Sequence, residues 1–396
     1  MHEASAGVVT EINKKIIYIA FMPLTEKIHR EWFVDFLRTK GHDVEYWNLS
    51  PFLNGLKGDG DLQEAKFNRR FFSFSEFETA LGALSNDLTV CVMLMGYGER
   101  FVPVYRLLTK YRCRMVYLAW GYVPWRRERE WKEKVVSLLS PRKFVKRAFF
   151  KLRAVVYRKL GLVEPYDIVF SSSPTIAATR FDAKKIVQIN SSDYDRFVEN
   201  DDVVDLKSPK PYAVFLDIFL PYQSDLTFSG VQKVDPERYY SSLNRFFDLI
   251  EHRHDVRIVI AAHPKARYAA DQFNGREIVS GKTPALVKQA SFAISHNSTS
   301  ISFAILAHKP TIFVYTQEMF ELYRHTVVAD MEMMSEFLGA SINNIDKLHD
   351  YGGIDIRPPD LDRYEAYKRQ FLGGAGGGNV PARDVFYREI RGLFAQ

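Results

Sequence analysis

The chain reads as an α/β protein built from two Rossmann-like domains, and three observations carry that reading. Its 396 residues exceed one ordinary core and suit two domains of roughly 150–200 residues each. Two successive series of short apolar runs alternate with segments of helical apolar spacing, the pattern of parallel strands joined by crossover helices. Between the series lies Asn190 to Pro211 (NSSDYDRFVENDDVVDLKSPKP), polar, acidic and ending in prolines, which reads as a linker. Residues 1–200 then form a first domain and 201–396 a second.

In the first series, Lys15 to Met22 (KIIYIAFM) is a buried parallel strand, and Glu26 to Lys40 is a helix with Ile28, Trp32, Phe33, Phe36 and Leu37 on one face and Gly41 as its stop. Asp43 to Leu49, Leu88 to Leu94, Arg114 to Leu118, Tyr166 to Ser171 and Lys185 to Ile189 read as further strands. Phe74 to Leu84 and Val102 to Lys110 read as helices between them. The second series has strands at Tyr212 to Leu216, Val256 to Ala262, Arg276 to Val279, Ser291 to Ile294 and Thr311 to Tyr315. Helices are expected at Pro236 to Glu251, Pro284 to Gln289 and Thr299 to Ala307. The Gly-rich run Gly373 to Gly378 follows no strand and precedes no Lys-Ser/Thr, so it is not a P-loop. It reads as a connector to a final helix, Ala382 to Phe394.

The chain is 46% hydrophobic and 26% charged, which excludes wholesale disorder. No apolar run approaches the roughly 20 residues that span a bilayer, and Met1 to Gly7 carries no secretory signal. Two cysteines, Cys91 and Cys113, cannot make a disulfide framework or a zinc cluster, so a reducing, cytoplasmic compartment is expected. The net charge of +6 is unevenly spread. Between Arg126 and Lys159 thirteen basic residues face three acids, a belt of +10 that leaves −4 for the remainder. Phe144, Ala148, Leu152, Val155 and Val156 interleave with the belt at helical spacing, so segment 126–160 can rest on an anionic membrane surface or present its stripe to the domain core. No helix-turn-helix, zinc-finger or RNP pattern points to nucleic acid.

Three clusters fall where strands of the second series end, the edge at which open α/β sheets bind ligands. In FLDIFLPYQSD, Asp217 directly follows a buried strand and is the candidate nucleophile or base; Asp225, on the same loop, fits a turn cap as well. In AAHPKARY, His263 and Lys265 can neutralise a phosphate. In SHNSTS, Ser295, Ser298 and Thr299 precede a helix and can cap it, hold an anion, or both. Gly281-Lys282-Thr283 opens another helix and reads as a nucleobase or phosphate contact or as a plain turn; Glu318 could hold a ribose diol. Glu26, Glu99 and Arg100 are acceptor-side candidates in the first domain. No HExxH and no DxD at a strand end offers a metal site. Positive groups without a metal suit a nucleoside-monophosphate leaving group better than a diphosphate, which points to a CMP-sugar.

Two Rossmann-like domains facing across a cleft are the arrangement of GT-B glycosyltransferases. The His-Pro pair followed by a Ser/Thr-rich helix start resembles the motifs of bacterial sialyltransferases, polysialyltransferases and Kdo transferases. The string FLDIFLPYQSD…AAHPKARY…REIVSGKT…SHNSTSISFAILAHKPTIF resembles more closely the retaining β-Kdo transferase domains of capsule and O-antigen synthesis, over roughly Tyr212 to Tyr315. That resemblance implies CMP-β-Kdo as donor, retention of configuration and an Asp nucleophile, for which Asp217 is the matching position; independence from a metal cofactor is expected from the lack of metal-ligand spacing. It places His263 and the Ser298/Thr299 turn at the CMP phosphate. The implied acceptor is an oligosaccharide or lipid-linked glycan, and the implied location the inner face of the bacterial inner membrane. The competing readings are a sialyltransferase-like or CDP-glycerol-type transferase, and a non-catalytic polyanion-binding module that uses the basic belt.

Overall fold

The structure is a computed structural model that describes residues 14–53, 66–98, 100–120, 152–153, 155–200, 202–222, 232–269, 271–348, 354–374 and 380–394, with the side chains of Glu26, Lys27 and Arg30 excepted. Most of the basic belt, Glu99 and Asp225 therefore lie outside the described residues, as do most of the Gly-rich run and the whole of 223–231.

Two compact units are present. The first is built on a seven-stranded sheet in the order β3-β2-β1-β4-β5-β6-β7. Its strands are β1 (Lys15–Ala20), β2 (Asp43–Asn48), β3 (Asn68–Arg70), β4 (Thr89–Met93), β5 (Arg114–Ala119), β6 (Tyr166–Ser171) and β7 (Ala183–Gln188). Every pairing is parallel. Ile16 to Ala20 and Thr89 to Met93 are buried throughout, the unbroken apolar run that a central parallel strand requires because helices cover both faces.

The second unit holds six parallel strands in the order β10-β9-β8-β11-β12-β13. They are β8 (Tyr212–Leu216), β9 (Arg257–Ala261), β10 (Glu277–Val279), β11 (Ala293–Ser295), β12 (Thr311–Tyr315) and β13 (Ser341–Asn344). In both sheets the chain winds outward in one direction, returns to the centre and winds outward in the other. The switch point lies between β1 and β4 in the first sheet and between β8 and β11 in the second.

Three expectations are corrected. The helix expected over Glu26 to Lys40 is two, Glu26–Glu31 and Val34–Thr39. The buried Tyr18 hydroxyl donates to the Trp32 carbonyl, and Phe33 turns to φ 62° between them. Its ring then packs at 5.5 Å from both Trp120 and Phe386.

The linker contains a helix, Ser192–Glu199, capped by the Ser191 hydroxyl and carrying Asp193 and Asp195 in its first turn, where the helix dipole favours acids. It packs on the helices Thr283–Gln289 and Ile301–Leu306, so the second unit begins at Asn190.

The final helix, Ala382–Leu393, belongs to the first unit and not the second. Its apolar face, Ala382, Val385, Phe386, Ile390 and Leu393, lies in the core of the first sheet, with Phe386 4.8 Å from Phe170. Cys91 and Cys113 are buried, unbridged thiols. Among the described residues no helix is long and apolar enough to cross a membrane.

Candidate functional site

Parallel strands about 4.8 Å apart put whatever follows them along one edge of the sheet. At the second sheet this edge carries, in spatial order, Gly281-Lys282-Thr283 after β10, His263 after β9, Asp217 after β8, Ser295 to Thr299 at the end of β11, and Glu318 after β12. Motifs scattered over a hundred residues of sequence thus share one edge, and Asp217 and His296 flank its switch point.

Asp217 is the residue after β8 and is only 5% exposed. Its backbone N–H donates to the Ala261 carbonyl at 3.3 Å, which ties the loop to β9. One carboxylate oxygen, Oδ2, accepts a 2.5 Å bond from the Tyr268 hydroxyl. The other, Oδ1, is buried with no hydrogen-bond partner among the described residues. Burial raises its pKa to about 6, against the opposing pull of the Tyr268 hydroxyl and the nearby Phe219 and Ile218 N–H groups. Two residues on, Phe219 is held at φ 53°, uncommon for a bulky side chain. Its ring lies 4.8 Å from Tyr222, 5.6 Å from Tyr268 and, near-parallel, 6.5 Å from His263.

The loop after β9 is internally braced. The Lys265 N–H donates to His263 Nδ1 at 3.3 Å, so a neutral His263 carries its proton on Nε2. The His263 N–H donates to the Tyr268 hydroxyl at 3.1 Å. Lys265 itself is exposed.

After β11 the sequence SHNSTS divides its labour. Ser295 is fully buried and donates to the His296 carbonyl, so its hydroxyl serves the backbone and not a ligand. His296, also fully buried, donates from Nδ1 to the Val314 carbonyl, and its Nε2 has no partner among the described residues. Burial pushes its pKa down to about 4, which keeps the ring neutral. Ser298 accepts from the Ser300 N–H, and Thr299 is exposed.

The helices that follow β10 and β11, Thr283–Gln289 and Ile301–Leu306, have seven and six residues. Helices that short offer little macrodipole, so an anion here would be held by side chains and single N–H groups. Gly281, at φ +75°, makes the turn before the first of them, and Lys282 is exposed. Glu318 is already engaged: its Oε1 accepts from the Asp235 N–H at 3.0 Å.

In the first unit, Glu26 opens the helix after β1, and Arg100 follows β4 and donates to the Leu53 carbonyl at 2.8 Å. Among the described residues no group of three or more His, Cys, Asp or Glu side chains is arranged to hold a metal.

Sequence reasoning did not single out Tyr268, Tyr239, Tyr240 or His296. Tyr239 and Tyr240 come from the helix Pro236–His254 and are buried; burial, and then the Asp217 charge, push the pKa of each hydroxyl up, and the Tyr239 hydroxyl has no partner among the described residues. Tyr239 packs 5.8 Å from His296. Only Tyr268 left a signal, five residues beyond His263 in AAHPKARY.

No protein-family model matches the chain, and no curated protein does. Solved structures do. CalG4, the calicheamicin glycosyltransferase, superposes with a TM-score of 0.53 at 13% identity, over 97% of this chain and 98% of its own. The glycosyltransferase of kitacinnamycin superposes with a TM-score of 0.52 at 14% identity, over 96% of this chain and 99% of its own. At such identities the likeness concerns the fold, and with the two parallel sheets it establishes the GT-B type, two Rossmann-like domains in one chain.

Proposed function

We propose that the chain is a glycosyltransferase that moves Kdo from CMP-β-Kdo to a saccharide acceptor of bacterial surface polysaccharide, with retention through an adduct on Asp217. The observation that carries this reading is Asp217 itself: a buried carboxylate at the switch point, one oxygen held by Tyr268 and the other without a partner among the described residues. A pKa of about 6 leaves it ionised at neutral pH. Burying such a carboxylate is costly, and a fold without chemical need of it would place an apolar residue there.

In the first step Oδ1 bonds to the anomeric carbon as the bond from that carbon to the phosphate oxygen breaks, and CMP departs with the electron pair. His263 and Lys265 stabilise the charge that develops on the phosphate. In the second step an acceptor hydroxyl displaces the Asp217 carboxylate and gives its proton to water, so two inversions give net retention. The same carboxylate could instead serve as base for direct attack, which inverts the centre.

Intact-mass analysis of the protein with CMP-Kdo and no acceptor separates these cases. A Kdo-sized adduct mapped to Asp217 is expected; its absence under conditions of turnover would rule out double displacement through this residue. CMP-sialic acid and CDP-glycerol offered in parallel test the competing donors, and turnover unaffected by a chelator tests independence from metal. Contact with an anionic bilayer through 126–160 completes the proposal; of that segment's aliphatic residues Leu152, Val155, Val156 and Leu160 are described, and they are exposed. Co-sedimentation with phosphatidylglycerol vesicles, lost on neutralising Arg142, Lys143, Lys146 and Arg147, is the matching test.

A further inference from the structure

The role proposed for Asp217 requires something to fix which oxygen attacks. We infer that Tyr268 is the positioning residue: it pins Asp217 Oδ2, presents Oδ1, and couples the carboxylate to the loop that carries His263. This inference rests on the reading of Asp217 as the reacting carboxylate and deepens it.

A tyrosine hydroxyl has one proton to give. At Tyr268 the oxygen already accepts from the His263 N–H at 3.1 Å, and the other close polar neighbour is Asp217 Oδ2 at 2.5 Å. A carboxylate cannot donate, so the tyrosine proton points at Oδ2. The ring cannot easily swing away, because Phe219 lies edge-on at 5.6 Å and Phe273 tilts against it at 5.4 Å. Burial, and then the Asp217 charge, raise the Tyr268 pKa, so it remains a donor throughout the working pH range.

Two bonds in series join the loop backbone to the carboxylate: the backbone N–H of His263 donates to the Tyr268 oxygen, and the Tyr268 O–H donates to Asp217 Oδ2. A separate bond from the Lys265 backbone N–H to the His263 ring Nδ1 braces the same loop. A phosphate-side shift of the His263 loop would therefore be felt at the carboxylate. The polar groups that act on Asp217 among the described residues are the Tyr268 hydroxyl, the N–H groups of Ile218 and Phe219 on its own loop, and Tyr239 and Tyr240 from the helix Pro236–His254.

The test is Tyr268→Phe, which keeps the ring and removes the proton. Loss of one hydrogen bond to a charged group lowers kcat by about 10- to 100-fold, with the donor KM changed by less than about threefold. The titration of Asp217 is read directly from its infrared carboxylate band, with Asp217→Asn as the blank. Its midpoint, near 6 in the wild type, moves up by about one pH unit in Tyr268→Phe because the ionised form loses a donor.

This band reports the Tyr268–Asp217 bond whatever the reaction. A wild type that forms the Asp217 adduct, with a Tyr268→Phe variant unchanged in kcat and midpoint, overturns the positioning role alone. A wild type that forms no adduct while Asp217→Ala turns over normally overturns the reading of Asp217 and the positioning role with it. Should Tyr268→Phe fail to fold, 3-fluorotyrosine at position 268, a stronger donor, must lower the midpoint. An unmoved midpoint there overturns the inference as well.

Discussion

The two sheets share one winding order, so their edges can be compared position by position. The residue after β1 is Phe21, and the residue after the corresponding β8 is Asp217. After β4 stands Leu94; after its counterpart β11 stands His296. The first edge is aromatic and apolar: Phe21 lies 5.1 Å from Phe101, Phe52 lies 4.7 Å from Phe74, and Phe72 is 65% exposed. At the second edge a carboxylate and an imidazole occupy the same two central places and are buried there. The frame makes these positions available in both units, but only the second fills them with groups that are costly to bury. That difference places bond-making chemistry at the second edge and assigns ring-stacking recognition of an acceptor to the first, which is a proposal.

The deepest expected break between the edges is Asp217→Asn against Phe21→Leu. Removing the proposed nucleophile lowers kcat by at least about 10³-fold, whereas Phe21→Leu, on the edge assigned to acceptor recognition, changes kcat by less than about fivefold and acts mainly on acceptor KM. Steady-state kinetics on the pair checks this. Equal losses in kcat would erase the distinction drawn between the edges.

Stability separates the units next. Phe386 brings the final helix onto the first sheet, against Phe170 and Phe33. Phe386→Ala removes a fully buried ring and costs about 3–5 kcal/mol. Denaturant unfolding should show that loss, with Asp217 chemistry preserved in the fraction that stays folded. An unchanged midpoint would mean that the helix contributes nothing to the first core.

The pH dependence of stability distinguishes the two buried groups of the second edge. Asp217 rises from 3.8 to about 6 on folding. Its folded form binds the proton more tightly, so the stability it contributes is complete below pH 3.8 and is lost as pH rises through 6. His296 falls from 6.5 to about 4. Its contribution is complete above pH 6.5 and is lost as pH falls through 4. Each is worth on the order of 3 kcal/mol, with opposite slopes between pH 4 and 6, so in the wild type they nearly cancel. Asp217→Asn uncovers the histidine: its melting temperature should climb from pH 4.5 to 6.5, and near pH 7 it should exceed that of the wild type while activity is lost. Calorimetry at pH 4.5, 5.5 and 7 decides; parallel curves for the two proteins would refute the offset.

Much of this frame was legible in the residues, and the exceptions have physical reasons. Tyr212–Leu216 and Thr311–Tyr315 were read to the residue because contiguous apolar runs are what a doubly covered parallel strand needs. Asn68–Arg70 and Ser341–Asn344 were not, because NRR and SINN are polar edge strands whose pairing is supplied by a neighbour rather than by their own pattern. The linker hid a helix because the acids that make it look like a polar connector, Asp193 and Asp195, serve a helix N-terminus. At the site, Asp217 and His263 announce themselves by following apolar strands. Tyr239 and Tyr240 look like core residues from sequence, and only the fold brings their hydroxyls within reach of the Asp217 charge, with His296 packed on Tyr239.

The smallest expected effect concerns Glu318, the far end of the second edge. Its Oε1 accepts the Asp235 N–H, and Asp235 caps the helix that carries Tyr239 and Tyr240 through a 2.9 Å bond to the Arg238 N–H. Glu318 therefore braces the entry to that helix, and its effect on the site is indirect. Glu318→Ala should cost about 1 kcal/mol of stability, the worth of one exposed hydrogen bond to a charged acceptor, and should leave the donor KM within about twofold of the wild type. A ribose ligand would behave oppositely, raising KM tenfold or more with little change in melting temperature. Measuring both quantities on the one variant thus decides whether the second edge ends its ligand contacts at β11 or extends them to β12.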